Sequence, residues 1–145
     1  MDRSYIDDNR KARERLRSIV DRLTDEQLSS PLGEDWTVAV ALAHLAFWDQ
    51  RSRVLLRKWK STGVVQPSPI DIDITNEALL VQWHALVPRK AAALAVSSAE
   101  AVDRELETVS DEILAQLEAV EDKTRLFRSF HRKMHLDQIE ESLKK

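Results

Sequence analysis

Three histidines hold the chemistry this sequence offers. His131 and His135 lie four residues apart near the end of the chain, and His44 stands far upstream among apolar neighbours. On a helix, residues i and i+4 share one face a turn apart, so His131 and His135 can offer both imidazoles to one ion. His44 sits between Leu42, Leu45 and Trp48 and also turns inward on a helical reading. A lone inward histidine is usually a core residue with its ring nitrogens hydrogen-bonded. Three of them leave several buried nitrogens needing partners, at roughly 1–3 kcal/mol each when unmet. One divalent ion satisfies three together.

Three neutral imidazoles leave such an ion its full charge and at least one open position, as in catalytic rather than structural zinc sites. That position can hold water, whose pKa then falls toward ~7 for hydrolysis. It can equally bind the thiolate of a low-molecular-weight thiol. The residues themselves do not choose. A general base should stand nearby. Asp49, five residues past His44, and Asp73, ahead of the third helix, are the candidates; each reads more simply as a surface charge or a helix cap. Gln138 shares the face of His131 and His135, where it orients a ligand or water, or simply bonds to a backbone carbonyl. Arg51, seven residues past His44, is placed to clamp an anionic substrate or cofactor carboxylate, or to snorkel to solvent. His84, beside Trp83, belongs to neither group and reads as structural. Trp36, Trp48 and Trp83 line a pocket or fill core.

Helices must position these groups. Only two glycines and four prolines occur in 145 residues, which favours long helices over a turn-rich β fold. A first helix is expected over about Ser4–Leu23, with Tyr5, Asn9, Ala12, Leu16, Ile19 and Leu23 on one stripe. Thr24 to Gln27 reads as a capping box for a short helical turn, ended by Pro31 and Gly33. The second helix starts at the N-cap Thr37 and closes at Ser61-Thr62-Gly63. A loop follows over residues 64–74, and Asp73 or Thr75 caps a third helix over about Asn76–Glu107. Pro88 should kink or break it, at about 3 kcal/mol in a helix interior. Ser110-Asp111-Glu112 restarts a short helix through about Ala119. The last helix is expected over about Asp122–Leu143. Its inward arc would hold Phe127, Phe130, His131, Met134, His135, Gln138 and Ile139, with Arg125, Arg132, Lys133, Asp137 and Glu140 outside. Four long amphipathic helices with two longer connections suggest a single-domain four-helix bundle, over residues 1–145, with crossover topology.

Composition excludes some functions. The formal net charge of −3, with the basic residues Arg51, Arg53, Arg57, Lys58 and Lys60 scattered around their helix, argues against nucleic acid as a partner. There is no cysteine, so any metal must use His, Asp, Glu or carbonyl oxygen. The longest apolar runs fall far short of the ~20 residues a membrane-spanning helix needs. The N-terminal residues lack the apolar core of a signal peptide. A soluble cytoplasmic protein is the expectation.

The same residues carry a family resemblance. The run Trp36-Thr37-Val38-Ala39-Val40-Ala41-Leu42-Ala43-His44-Leu45, followed by Trp48-Asp49, resembles the second-helix signature of the DinB-like superfamily. This superfamily includes the N-terminal domains of mycothiol-dependent maleylpyruvate isomerases. His131-x-x-x-His135-x-x-Gln138-Ile139 resembles its last-helix signature, and Asp73 and Asn76 fit the pattern too. The resemblance implies an all-α four-helix bundle of up-down-down-up topology with a short extra helix before the last one. It implies a divalent metal, zinc or nickel, on His44, His131 and His135. It also implies a small-molecule substrate or thiol cofactor, a homodimer, and use of the open position for a thiolate, as in the thiol-dependent S-transferases and isomerases of the family. Together with the open position, the expectation is a metal-dependent thiol S-transferase or hydrolase. The alternative is a non-catalytic stress-response module that binds small molecules or helical partners. Two departures stand out: Val40 replaces a common acidic residue of the helix cap, and Pro88 interrupts the third helix.

Overall fold

The computed structural model describes residues 1–120 and 123–144. Its regular structure is almost entirely helical, so the fold is all-α. Helix α1 spans Tyr5–Arg22 and buries Tyr5, Asn9, Leu16, Ile19 and Val20. Thr24 then opens the short helix α2 (Asp25–Leu28) with a full capping box. The Gln27 N–H donates to Thr24 Oγ1, and the Thr24 N–H donates back to Gln27 Oε1.

The interruption expected at Pro31 and Gly33 is a small hairpin. Strands β1 (Pro31–Leu32) and β2 (Trp36–Thr37) pair antiparallel, with Leu32 opposite Trp36. Gly33 turns between them at φ +77°, a backbone state that side chains disfavour. The hairpin delivers the chain onto Thr37, whose Oγ1 accepts the Val40 N–H at 3.1 Å and starts α3 (Val38–Thr62). Residues 38–46 are all buried, which makes α3 the central helix. Val40 itself is 1% exposed and belongs to the core. The helix ends on Gly63 at φ +77°, whose N–H donates to the Trp59 carbonyl at 2.7 Å.

Helix α4 (Ile72–Ala85) starts earlier than expected. Its cap is Asp71, not Asp73 or Thr75: Asp71 Oδ1 accepts the Ile74 N–H at 3.0 Å. Pro88 produces a break rather than a kink. It occupies the first position of α5 (Pro88–Glu107), where its missing N–H is not needed, and holds Val87 extended. Ser110 caps α6 (Asp111–Ala119) as its sequence suggests. The expected start of the last helix at Asp122 lies outside the described residues. Residues Lys123–Arg125 make a single 3-10 turn, and α7 runs only from Ser129 to Leu143.

Helix α3 packs chiefly on α5, and α1 packs on α5 and α7. The apolar core has two parts. One gathers Leu16, Leu42, Leu45, Ala95, Leu136 and Ile139; the other gathers Tyr5, Leu56, Trp59, Leu106, Leu114 and Leu126. Between these sets, each long helix buries a polar residue: Asn9 on α1, Asp49 on α3, Asp103 on α5 and Arg132 on α7.

This layer overturns the expected face of α7. Arg132, expected outside the inward arc, is 0% exposed, while Phe130 and Met134, expected inside, are about half exposed. The face that packs holds Arg132, His135, Leu136 and Ile139. It is turned roughly 100°, one residue's rotation, from the arc the apolar residues alone would choose. No described helix is long and apolar enough to cross a membrane.

Removing the hydroxyl of the α3 cap should have a local cost. Thr37→Ala is expected to lower stability by about 1 kcal/mol. A urea titration would show a lower midpoint with unchanged slope.

Candidate metal centre

His44 comes from the second turn of α3, while His131 and His135 come from consecutive turns of α7. The three rings form a nearly equilateral triangle, with centroids 4.8 Å apart for His44–His131, 4.7 Å for His44–His135 and 4.8 Å for His131–His135. Each pair is inclined by 68–77°, so the ring edges converge. One ring nitrogen from each lies within 4.8 Å of the others. Tetrahedral zinc with 2.0–2.1 Å bonds needs such nitrogens roughly 3.3 Å apart, a small adjustment from here.

Aromatic rings wall this cluster. Trp36 stacks against His135 at 5.8 Å and tilts over His44 at 4.8 Å. Trp83 and Trp48 meet His44 edge-on at 5.5 and 6.4 Å. Trp48 Nε1–H in turn donates to Asn76 Oδ1 at 2.9 Å, which ties α4 to the wall. Beside His135 opens a cleft of about 530 Å³, bordered by Leu32, Gly33, Trp36, Gln138, Glu141 and Ser142.

Residues 9–139 match the DinB superfamily. The chain belongs to that superfamily. No curated protein and no solved structure matches it. DinB-like proteins are metal-binding, and the three histidines just described lie close enough together to hold a metal ion.

The donor set fits a cation. Burial lowers all three histidines, and their mutual proximity deepens the effect for two of them. His44 falls from 6.5 to about 4, through burial and then repulsion from His135. His131 falls to about 2, through burial, its two partner histidines and the nearby Arg128 and Arg132. His135 is lowered by burial, opposed by Gln138. The rings are therefore neutral, and neutral imidazole is the ligand form. His135 Nδ1–H donates to Gln138 Oε1 at 2.9 Å, which leaves the Nε2 lone pair facing the cluster. The Nε2 atoms of His44 and His131 stand 2.9 Å apart, and His44 Nδ1 is buried without a partner. Among the described residues, these two Nε2 atoms meet no hydrogen-bonding group but each other.

The other candidates divide. Gln138 joins the histidine cluster through His135 and lines the cleft. Arg51 does not border the cleft. Its guanidinium donates to the carbonyl and Oγ of Ser68 at 2.7 and 3.1 Å and lies 5.9 Å above Trp48. His84 bonds to the Asp35 carbonyl at 2.7 Å and holds the hairpin turn to α4. Asp73 is exposed in the first turn of α4. Asp49 is neither surface charge nor cap: it is 1% exposed and held by Arg128 and Arg132 at 2.9 and 3.3 Å. The sequence carried one signal of this, since Asn9 and Asp103 fall on otherwise apolar stripes.

The neutral cluster makes stability depend on pH. An unfolded chain protonates each imidazole near pH 6.5, whereas the folded chain resists to much lower pH. The contribution is complete above pH 6.5 and is lost as pH falls toward 4. With a chelator present, the urea midpoint should drop between pH 7 and pH 5. His44→Gln with His131→Gln should flatten that drop; an equally steep profile would contradict the assignment.

Proposed function

We propose that this chain is a metal-dependent thiol S-transferase of the DinB type. His44, His131 and His135 hold one divalent ion, zinc or nickel, with an open position toward the cleft beside Trp36. A bound ion would supply a Lewis-acidic position that lowers the pKa of a thiol or water placed there. The observation that carries this reading is the convergence of three neutral imidazoles, each with a ring nitrogen within 4.8 Å of the other two.

The protein groups favour a thiol over hydrolysis. Water needs a base to take its proton, and the two carboxylates expected near the site are committed elsewhere. Asp49 is occupied by two arginines, and Asp73 is exposed at the start of α4. Glu141, at the cleft, is exposed and sits 3.6 Å from Lys144. A low-molecular-weight thiol gives up its proton without such help, because its own pKa lies far below that of water. Trp36 and Leu32 give the cleft an apolar side for the second substrate, and Gln138 keeps the proton on His135 Nδ1. We assign α1, α3, α5 and α7 to the family's up-down-down-up four-helix bundle; their mutual packing supports this. A homodimer belongs to the same reading, supported by the exposed Ile72, Ile74 and Val81 on α4.

Metal analysis of untagged protein tests the proposal. Near-stoichiometric zinc or nickel is expected, lost in His44→Ala and in His135→Ala, together with any thiol-dependent turnover. Protein that stays metal-free after reconstitution would refute it. Gln138→Leu should leave the fold intact and weaken metal binding by roughly 10- to 100-fold, the usual effect of removing a group that orients a ligand histidine. Competition with a chromophoric chelator would measure it.

A further inference from the structure

We infer that the buried cluster Arg132–Asp49–Asp103 is the positioning device of the histidine site, because it sets the rotation of α7. The inference deepens the metal reading and rests on it for the identity of the site, though not for its test.

The observations start with α7 itself. Its apolar residues do not define one face: Phe130 and Met134 are about half exposed, while Leu136 and Ile139 are fully buried. Apolar burial alone leaves two rotations open, about 100° apart. One residue distinguishes them. Arg132 forms a two-pronged pair with Asp103, its Nη1 and Nη2 lying 3.0 and 2.8 Å from the two carboxylate oxygens. Nη2 also reaches Asp49 at 3.3 Å, and Nη1 donates to the Asn9 carbonyl at 3.1 Å. A single guanidinium thus holds α7 against α1, α3 and α5. Each carboxylate also meets a second arginine, Arg13 on Asp103 at 2.6 Å and Arg128 on Asp49 at 2.9 Å.

Buried ion pairs add little net stability over apolar replacements, but they can select one arrangement among several. Here the alternative is costly to the site. Rolling α7 by 100° moves side-chain atoms roughly 6 Å from the helix axis by about 9 Å. The rings of His131 and His135 would leave His44. Arg132 follows directly after His131, and Asp49 lies five residues past His44, so the two helices that carry the ligands also carry two of the three members of the lock. A planar fork is required, because a lysine cannot engage both carboxylates with fixed geometry.

The chain has no cysteine, so single cysteines report the rotation of α7. Met134→Cys and Leu136→Cys are made in the parent and in Asp49→Asn/Asp103→Asn/Arg132→Gln, which removes the three charges of the cluster and leaves Arg13 and Arg128 to the remaining amide oxygens. Thiol labelling rates are compared in folded protein. In the parent, position 134 should label at least tenfold faster than position 136. In the triple variant that ratio should fall at least tenfold, and metal affinity should fall by at least tenfold with helicity retained. A folded triple variant with the parental ratio would overturn the inference. Should the triple variant not fold, Arg132→Lys decides: the same shifts, smaller in size, are expected, and a folded lysine variant with parental ratio and metal affinity would refute it. Labelling needs no metal. A parent chain that bound none would remove the metal reading and still leave the lock to be judged.

Discussion

One guanidinium is held where water does not reach, between two carboxylates on two other helices. Arg132 can be charged there only because Asp49 and Asp103 meet it at hydrogen-bond distance. Burial works against its charge, and the two carboxylates more than restore it. Breaking such a pair by removing one member typically costs about 3–5 kcal/mol. This constraint splits the apolar core into two parts, exposes Phe130 and Met134, and orients α7.

From that orientation the site follows. Helix α7 turns His131 and His135 toward α3, where His44 emerges from a fully buried segment. The small hairpin sends Trp36 across the open side, and α4 brings Trp83 and Asn76 to the back. Each element contributes one wall, and the walls keep the imidazoles neutral. Neutral rings in close contact resist protonation, so protons do not compete for their lone pairs near neutral pH. The same burial that lowers their pKa values keeps the rings in the form that ligates a metal.

Much of this was legible in the sequence. Thr24, Thr37 and Ser110 announced their helices through capping chemistry that depends only on neighbouring residues. His44, His131 and His135 were readable because helical spacing is local, and DinB motif order linked two distant segments. What escaped depends on partners far away in sequence. Arg132 looked like a surface residue because its two carboxylates lie on other helices, so the inward face of α7 was misjudged by one residue's rotation. Asp49 looked like an edge charge for the same reason. Asp71, Asp73 and Thr75 are equally good cap residues by type, and only backbone geometry singles out Asp71. Val40 packs in the core, so the Thr37 half of a capping box alone starts α3.

The central claim is a three-imidazole site with a free coordination position. X-ray absorption at the zinc edge of the reconstituted protein tests it most directly. The account predicts three imidazole nitrogens at about 2.0–2.1 Å and one further light ligand, replaced by sulfur at about 2.3 Å when a small thiol is added. Fewer than three imidazoles, or a shell closed by four protein ligands and indifferent to thiol, would contradict it.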